Sequence, residues 1–455
     1  MIIDNKIIGL FLIGFFLVTY TSCNDYLDAK SDASLVVPNK VSDLQALLDR
    51  TYIMNTRAAI YGEASSDNYY LSNEVWLSLS EADRNLYGWG DEIVYYDGSD
   101  NGWSSCYQAV YYANLALEQI VGIDKNTSSE DAWNNVKGSA HFFRGYYFYM
   151  VASTWAKAFD ENTASSDLGI PLRLNSDFNI RSTRASVKET YEQILTDLKL
   201  AVPLLPVMPE HVMRPSKPAA YAMLSRVYLA MREYPQAKLY ADSCLMLKSD
   251  LMDYGAINGS LSYPIPQFNE ETIFYTHAYI APLDDYKGRI DSFLFNEFDD
   301  FDKRKELFFY GISDSSVSFR GSYSSSFSLF VGLATDEVLL NKAECAVRLG
   351  DVSGALSDLN ALLEKRWIVG TYVPITATSP DEVLALVLTE RRKELLMRDL
   401  RWMDIKRLNK EGANINLTRN LNGEVYELPA NSPKFALPIP IRVIEETGMP
   451  QNPRK

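Results

Sequence analysis

Few residues in this chain have the types and spacing that catalysis needs. The three histidines, His141, His211 and His277, are not spaced as a metal pair, so a zinc centre or a Ser-His-Asp triad has almost nothing to work with. No glycine loop cradles phosphate, because Gly145 falls in a helical stretch and acids follow Gly88 and Gly90. Asp299, Asp300 and Asp302 could line a site but read as solvated acidic loop. Glycoside hydrolysis depends on the separation of two carboxyls, which spacing along the chain does not reveal. What remains is stacking and hydrogen bonding. The C–H faces of a sugar ring stack on indole or phenol, while its hydroxyls need amide and carboxylate partners. Asp67, Asn68, Tyr69, Tyr70, Trp76 and Trp89 offer both kinds, as do Tyr275, Tyr279, Asp284, Asp285, Tyr286 and Arg289. Each aromatic alone reads as partial core; two such loop regions together read as a surface binding site. The candidate contacts are Asp67, Asn68, Tyr69, Tyr70, Trp76, Trp89, Tyr279, Tyr286 and Arg289, with no catalytic residue, metal or cofactor assigned.

Cys23 carries a different chemistry. Residues 7 to 18 are unbroken apolar or glycine, and Thr21-Ser22 leads into the cysteine. Twelve helical residues rise about 18 Å against roughly 30 Å of bilayer hydrocarbon, too short to span and suited to a signal peptide. A small residue before cysteine is the cut site of bacterial lipoprotein signal peptidase, which would leave Cys23 as the lipidated N-terminus. Asp4 beside Lys6 makes a weak basic start, and an ordinary signal peptide with an incidental cysteine is the alternative.

The elements that must hold these residues are mostly helical. A polar tether runs to about residue 40, and Ser42 reads as the N-cap of a first helix. Residues 61–102 show no sustained period and read as long loops with short elements. Helices follow over 103–120 and 131–155, and Ser186 caps another that ends at Pro203. Period is lost again over 250–333, then helices return over 334–349, 352–367 and 381–408. No strand-helix alternation appears, which excludes a doubly wound sheet and gives an all-α class. Ser225, Tyr228 and Ala237, and Ala343, Ala346, Gly350 and Ala355, fall at tetratricopeptide offsets where small residues let paired helices approach. Generic Ala-rich hairpins are the alternative. The expected organisation is a lipoprotein signal peptide (1–22), a tether (23–40) and one helical domain (41–455). Its hairpins fall within 103–250 and 334–368, and its loop-rich ligand side at about 61–102 and 250–333.

Composition narrows the partners. A net charge of −15 and a pI near 4.8 argue against nucleic acid and anionic lipid surfaces. Aromatics make up 12% of the chain, with 29 tyrosines whose flat faces and polar tips suit contact with sugars or peptides. Cys106, Cys244 and Cys345 are an odd count without a C-x-x-C and read as small buried hydrophobes. The runs Arg391-Arg392-Lys393 and Arg398-Asp399-Leu400-Arg401, interleaved with Glu390 and Glu394, read as the ion-paired surface of one long helix.

Over nearly its whole length the chain resembles the SusD/RagB family of outer-membrane lipoproteins. The resemblance opens at Cys23-Asn24-Asp25-Tyr26-Leu27-Asp28 and continues in the aromatic helix around Arg144-Gly145-Tyr146-Tyr147. Leu168-Gly169-Ile170-Pro171-Leu172-Arg173 and the helix from Ser186 follow it. Its most specific parts are Glu390 to Leu395, Arg401-Trp402-Met403-Asp404-Ile405-Lys406-Arg407, Leu437-Pro438-Ile439-Pro440 and Gln451-Asn452-Pro453. One departure is Ala156-Lys157-Ala158-Phe159, which replaces a commoner Tyr-Gly turn. The resemblance implies a tetratricopeptide-like scaffold with long loop insertions and a cell-surface lipoprotein in the outer membrane. It implies capture of glycan, or in the RagB branch oligopeptide, for delivery to a SusC-like TonB-dependent transporter. A surface hydrolase and a pure protein scaffold are the competing classes. If Cys23 is the anchor, Cys23→Ala should move the protein from the membrane fraction to the soluble one. A variant that stays membrane-bound without its transporter would contradict the anchor.

Overall fold

The computed structural model describes residues 38–91, 101–125, 129–312 and 315–454. Cys23, the signal segment and the tether up to residue 37 lie outside the described residues, as do Tyr95 and Tyr96. Val41–Lys455 forms one compact unit. Its longer helices are α1 (Val41–Leu48), α2 (Gly102–Ile120), α3 (Glu130–Trp155), α4 (Val187–Ala201), α5 (Lys217–Met231) and α6 (Tyr234–Leu245). They continue as α7 (Thr335–Arg348), α8 (Val352–Glu364), α9 (Pro380–Glu394) and α10 (Arg401–Asn409). Every sheet among the described residues is two-stranded, so the class is all-α.

α3 is the centre. From Gly138 to Trp155 each of its residues is buried, mostly small, apolar or aromatic, with Arg144 matched by Asp197 of α4 at 2.6 Å. It lies between α2 and α4, and Gly145 lets Leu198 of α4 approach to 3.1 Å of where a Cβ would sit. α4 begins with a capping box, in which the Ser186 hydroxyl accepts from the Glu189 amide and Glu189 accepts from the Ser186 amide. The hairpins α5–α6 and α7–α8 are the two tetratricopeptide-like repeats. Ser225, Ala237, Ala343 and Ala355 are fully buried in them, and Gly350 turns the second at φ +89°.

Two expectations need correction. Ser42 does not cap α1, which already begins at Val41. The stretch 381–408 is two helices rather than one, because Met397 and Asp399 take left-handed backbone at φ 61° and 58°. The break is held from outside: the Asp399 amide donates to Glu63 Oε2 (3.0 Å), and the Glu63 amide donates to Asp399 Oδ1 (2.9 Å).

Nor are the flanking charged runs a helix surface. Glu390, Arg391, Lys393, Glu394, Arg398, Asp404 and Arg407 are all buried. Arg304, itself inaccessible, joins Asp302 (2.7 Å), Glu390 (2.6 Å) and Glu394 (2.9 Å), so Asp302 is an interior acid and not part of a solvated loop. Arg407 pairs with Glu344 (2.6 Å), and Arg391 with Asp404 (2.8 Å). Helical spacing shows which residues share a face. It does not show that segments far along the chain bring charges to that face.

Cys106, Cys244 and Cys345 are free and buried, and burial pushes each thiol up to about 12.

The C-terminal motifs close the end of α3. A helix leaves its last four carbonyls without intrahelical donors, and here that end is buried. Lys406 Nζ donates to Ser153 O (2.8 Å) and Ala156 O (2.7 Å), and the Leu437 amide to Thr154 O (3.0 Å). Asn452 Nδ2 donates to Trp155 O and Leu437 O, both at 2.7 Å. Gln451 in turn fixes Ile439 by a pair of 2.7 Å bonds, one in each direction. Asn452→Ala strands two buried carbonyls and should lower unfolding stability by about 2–4 kcal/mol in denaturant titration. An unchanged midpoint would remove this cap from the folding energetics.

Candidate functional site

The two loop-rich regions meet through Asp67-Asn68-Tyr69-Tyr70. Tyr69–Tyr70 pairs antiparallel with Arg289–Ile290, setting Tyr70 opposite Arg289. The Asn68 carbonyl accepts from the Asp291 amide (3.0 Å), and Asp291 caps the short helix Ser292–Asn296. One segment therefore ties the second loop region to the first.

Behind that junction lies a charged frame. Asp67 accepts two bonds from Arg401 (2.7 and 2.8 Å) and lies 3.4 Å from Arg392. Burial pushes the Asp67 carboxyl up, but Arg401 and Arg392 outweigh it and hold the group at about 2. Asn68 donates to Glu63 (2.8 Å) and accepts from Arg392 Nε (3.2 Å). Burial drives Glu63 up to about 7 despite those donors. Tyr69 is buried and donates to Ala64 O (2.7 Å). Trp89 is buried too, with Nε1 on Ser65 O (3.0 Å). Arg419 spans this layer, lying 3.4 Å from the Tyr87 ring centre and 4.7 Å from that of Trp89. In this structure Asn68, Tyr69 and Trp89 are interior, and Asp67 is committed to two arginines. Trp76 is half-buried on the short helix Asn73–Ser78, edge-on to Tyr426 at 6.3 Å. Tyr275, also singled out from the sequence, is core.

Among the exposed rings of these loops are three tyrosines and a phenylalanine. Tyr286 is 77% exposed, Tyr279 49%, Phe327 49% and Tyr70 43%, against 3% for Tyr69 and 2% for Trp89. Tyr279 and Phe327 meet edge to face at 5.5 Å. The Tyr279 hydroxyl donates to Asp284 Oδ2 (3.0 Å), and Asp284 Oδ1 accepts the Tyr286 amide (3.0 Å). Burial, then the Asp284 bond and charge, push the Tyr279 hydroxyl up to about 12, so it stays a donor at neutral pH. Arg289 Nη1 is held by Tyr286 O (3.1 Å) and Ser318 Oγ (3.2 Å). Beneath them Tyr263 donates to Asp285 Oδ2 (2.6 Å), and Tyr310 to the Asp285 carbonyl (2.7 Å). Asp285 Oδ1 is buried without a partner among the described residues. The sequence reading missed Phe327, Tyr263 and Tyr310; Phe327 lies in the run Ser324-Ser325-Ser326-Phe327-Ser328, an isolated ring among hydroxyls.

A second aromatic cleft of about 540 Å³ lies where α2 meets the 172–182 loop. Tyr107, Tyr111, Arg173, Phe178 and Arg181 are among its lining residues. A third feature, the cluster of Glu271, Asp336 and Glu394, has the spacing of a cation site. Its acids are already matched: Arg366 reaches Glu271 and Glu394 at 2.7 Å, and Arg398 reaches Asp336 at 2.8 Å. The Tyr323 hydroxyl bridges Glu271 (2.6 Å) and Asp336 (3.1 Å). With Arg304 also on Glu394 (2.9 Å), three interior guanidiniums around three carboxylates oppose a further cation.

Comparison with known proteins agrees with this fold. A SusD-like family model, described as starch-binding and associating with the outer membrane, matches residues 25–229. The SusD family model matches residues 335–453. SusD-like protein P2 of Formosa agariphila is 23% identical over 464 residues, covering 86% of this chain and 89% of that one. A crystal structure of a SusD superfamily protein from Bacteroides vulgatus superposes with a TM-score of 0.74 at 20% identity, covering 91% of this chain and 99% of that one. A SusD-like carbohydrate-binding protein from the same species gives 0.64 at 20% identity, covering 86% and 89%. At such identity these structures speak for the fold alone. The two family models together span most of the chain, and they meet here the helical hairpins and C-terminal motifs of one architecture: the chain belongs to the SusD/RagB family.

Proposed function

We propose that this chain is a non-catalytic, cell-surface lipoprotein that captures glycan and delivers it to a SusC-like TonB-dependent transporter in the outer membrane. The observation that carries the reading is the ring of Tyr286, 77% exposed yet set in a hydrogen-bonded turn beside Tyr279, Tyr70 and Arg289. The turn that carries this exposed ring is held by its own hydrogen bonds before any ligand arrives, which suits stacking. Asp284 and Arg289 supply the acceptor and donor that sugar hydroxyls need. Asp284 and Asp285 are engaged by Tyr279 and Tyr263, which suits a binding rather than a hydrolytic role. The description of the matching family model, starch-binding and associating with the outer membrane, supports both ligand class and address. Among the described residues no helix is long and apolar enough to cross a membrane, and lipid on Cys23 would provide attachment.

A glycan panel on affinity gels or by calorimetry tests the reading. Tyr286→Ala and Tyr279→Ala should each weaken capture roughly tenfold, on the order of 1.4 kcal/mol. Their unfolding stability should stay within about 0.5 kcal/mol of the parent, as for other exposed positions. Trp89→Ala should behave oppositely and cost about 3–5 kcal/mol of stability as a core truncation. Undiminished glycan capture by the Tyr279/Tyr286 double variant would overturn the assignment of this surface.

A further inference from the structure

The turn that departs from the family pattern, Ala156-Lys157-Ala158-Phe159, borders a cavity of about 470 Å³. That volume falls within the roughly 300–1,000 Å³ usual for small-molecule sites. Its lining includes Lys157, Lys406 and Lys410 and one carboxylate, Asp167. With Asp160, which pairs with Lys410, three amines face two acids there, in a chain of net charge −15. The rest of the lining combines an apolar side, including Phe435 and Pro433, with polar groups that include Ser432.

The lysines differ in how they are matched. Lys157 pairs with Asp167 (2.6 Å) and Lys410 with Asp160 (3.3 Å). Lys406 is 3% exposed and has no carboxylate partner among the described residues. Its amine spends two donors on the Ser153 and Ala156 carbonyls, and an ammonium carries three. Burial alone lowers Lys406 to about 7, as expected of an amine whose charge lacks a counter-ion. Closing α3 requires only the two donors already used. Lys157 and Lys410 each have a carboxylate, so what neither that role nor the aromatic surface uses is the third N–H of Lys406.

We propose that this cavity is a second ligand site that accepts one small carboxylate-bearing ring, with the third N–H of Lys406 as its innermost donor and Lys157 and Lys410 at its mouth. Binding supplies the missing counter-ion and so holds Lys406 protonated. The apolar side takes a ring face, and Ser432 offers its edge a hydroxyl.

The full chain, labelled with 13C-lysine, tests this by NMR at neutral pH with three probes: D-glucuronate, acetate and D-glucose. Glucuronate should move the Lys406 Cε signal toward its protonated position, acetate should do so more weakly, and D-glucose should not. Lys406→Met would also strip the cap of α3, so the mouth is varied instead. The double variant Lys157→Ala/Lys410→Ala should weaken the glucuronate response about tenfold, the scale of a lost charge-assisted contact. Its capture of neutral glycan should not change, which separates this site from the aromatic surface. A Lys406 signal unmoved by glucuronate, an equal response to D-glucose, or an undiminished response in the double variant would each overturn the proposal.

Discussion

The structure depends on satisfying one buried helix end. α3 runs for 26 residues through the interior, so its last carbonyls cannot turn to water. Their donors come from segments some 250 to 300 positions later in the chain: Lys406, Leu437 and Asn452. The Trp155 indole donates to Pro438 O (3.1 Å), so the side chain at the same end is held by the same segment. Closure of α3 therefore depends on the C-terminal segments being packed in place. This gives a physical reason for the motifs Arg401 to Arg407, Leu437 to Pro440 and Gln451 to Pro453, which carry the family resemblance yet contribute no ring to the exposed aromatic surface.

From that anchor a buried ionic frame reaches toward the ligand side. α10 supplies Lys406 to the cap and Arg401 to Asp67, while α9 supplies Arg392 to Asp67 and Asn68. Asn68 then holds Asp291 at the base of the turn that displays Tyr286 and Arg289. These pairs are partly buried, and pairs of this kind gain little net energy over apolar packing. Their service here is positional. Loops without helical period hold exposed rings because acids and arginines from distant segments fix their backbone.

Much of the scaffold was legible in the chain. Small residues at tetratricopeptide offsets marked both hairpins, and Ser186 marked the start of α4. Aperiodic stretches marked the segments that carry exposed rings, and Tyr279, Tyr286 and Arg289 were named there from their residue types alone. Asp67, Asn68, Tyr69 and Trp89 were drawn into the same list because a polar-aromatic loop that binds outward and one that packs inward share a composition. What separates them is a partner remote in sequence, such as Arg401 for Asp67 or Arg419 for Trp89. The same blindness made a surface helix of 381–408, where Glu63 bends the chain and Arg304 and Glu344 bury its charges.

The central claim is that a rigid interior frame presents one outward aromatic surface to glycan. Backbone hydrogen exchange, measured with and without a saturating oligosaccharide found in the panel, tests it most directly. The account predicts added protection over residues 279–291 and around Tyr70 and Phe327, with α3, α9 and α10 slow to exchange in both states. Protection confined to the 172–182 loop and α2, leaving 279–291 unchanged, would contradict it and move the ligand to the cleft at Tyr111 and Phe178.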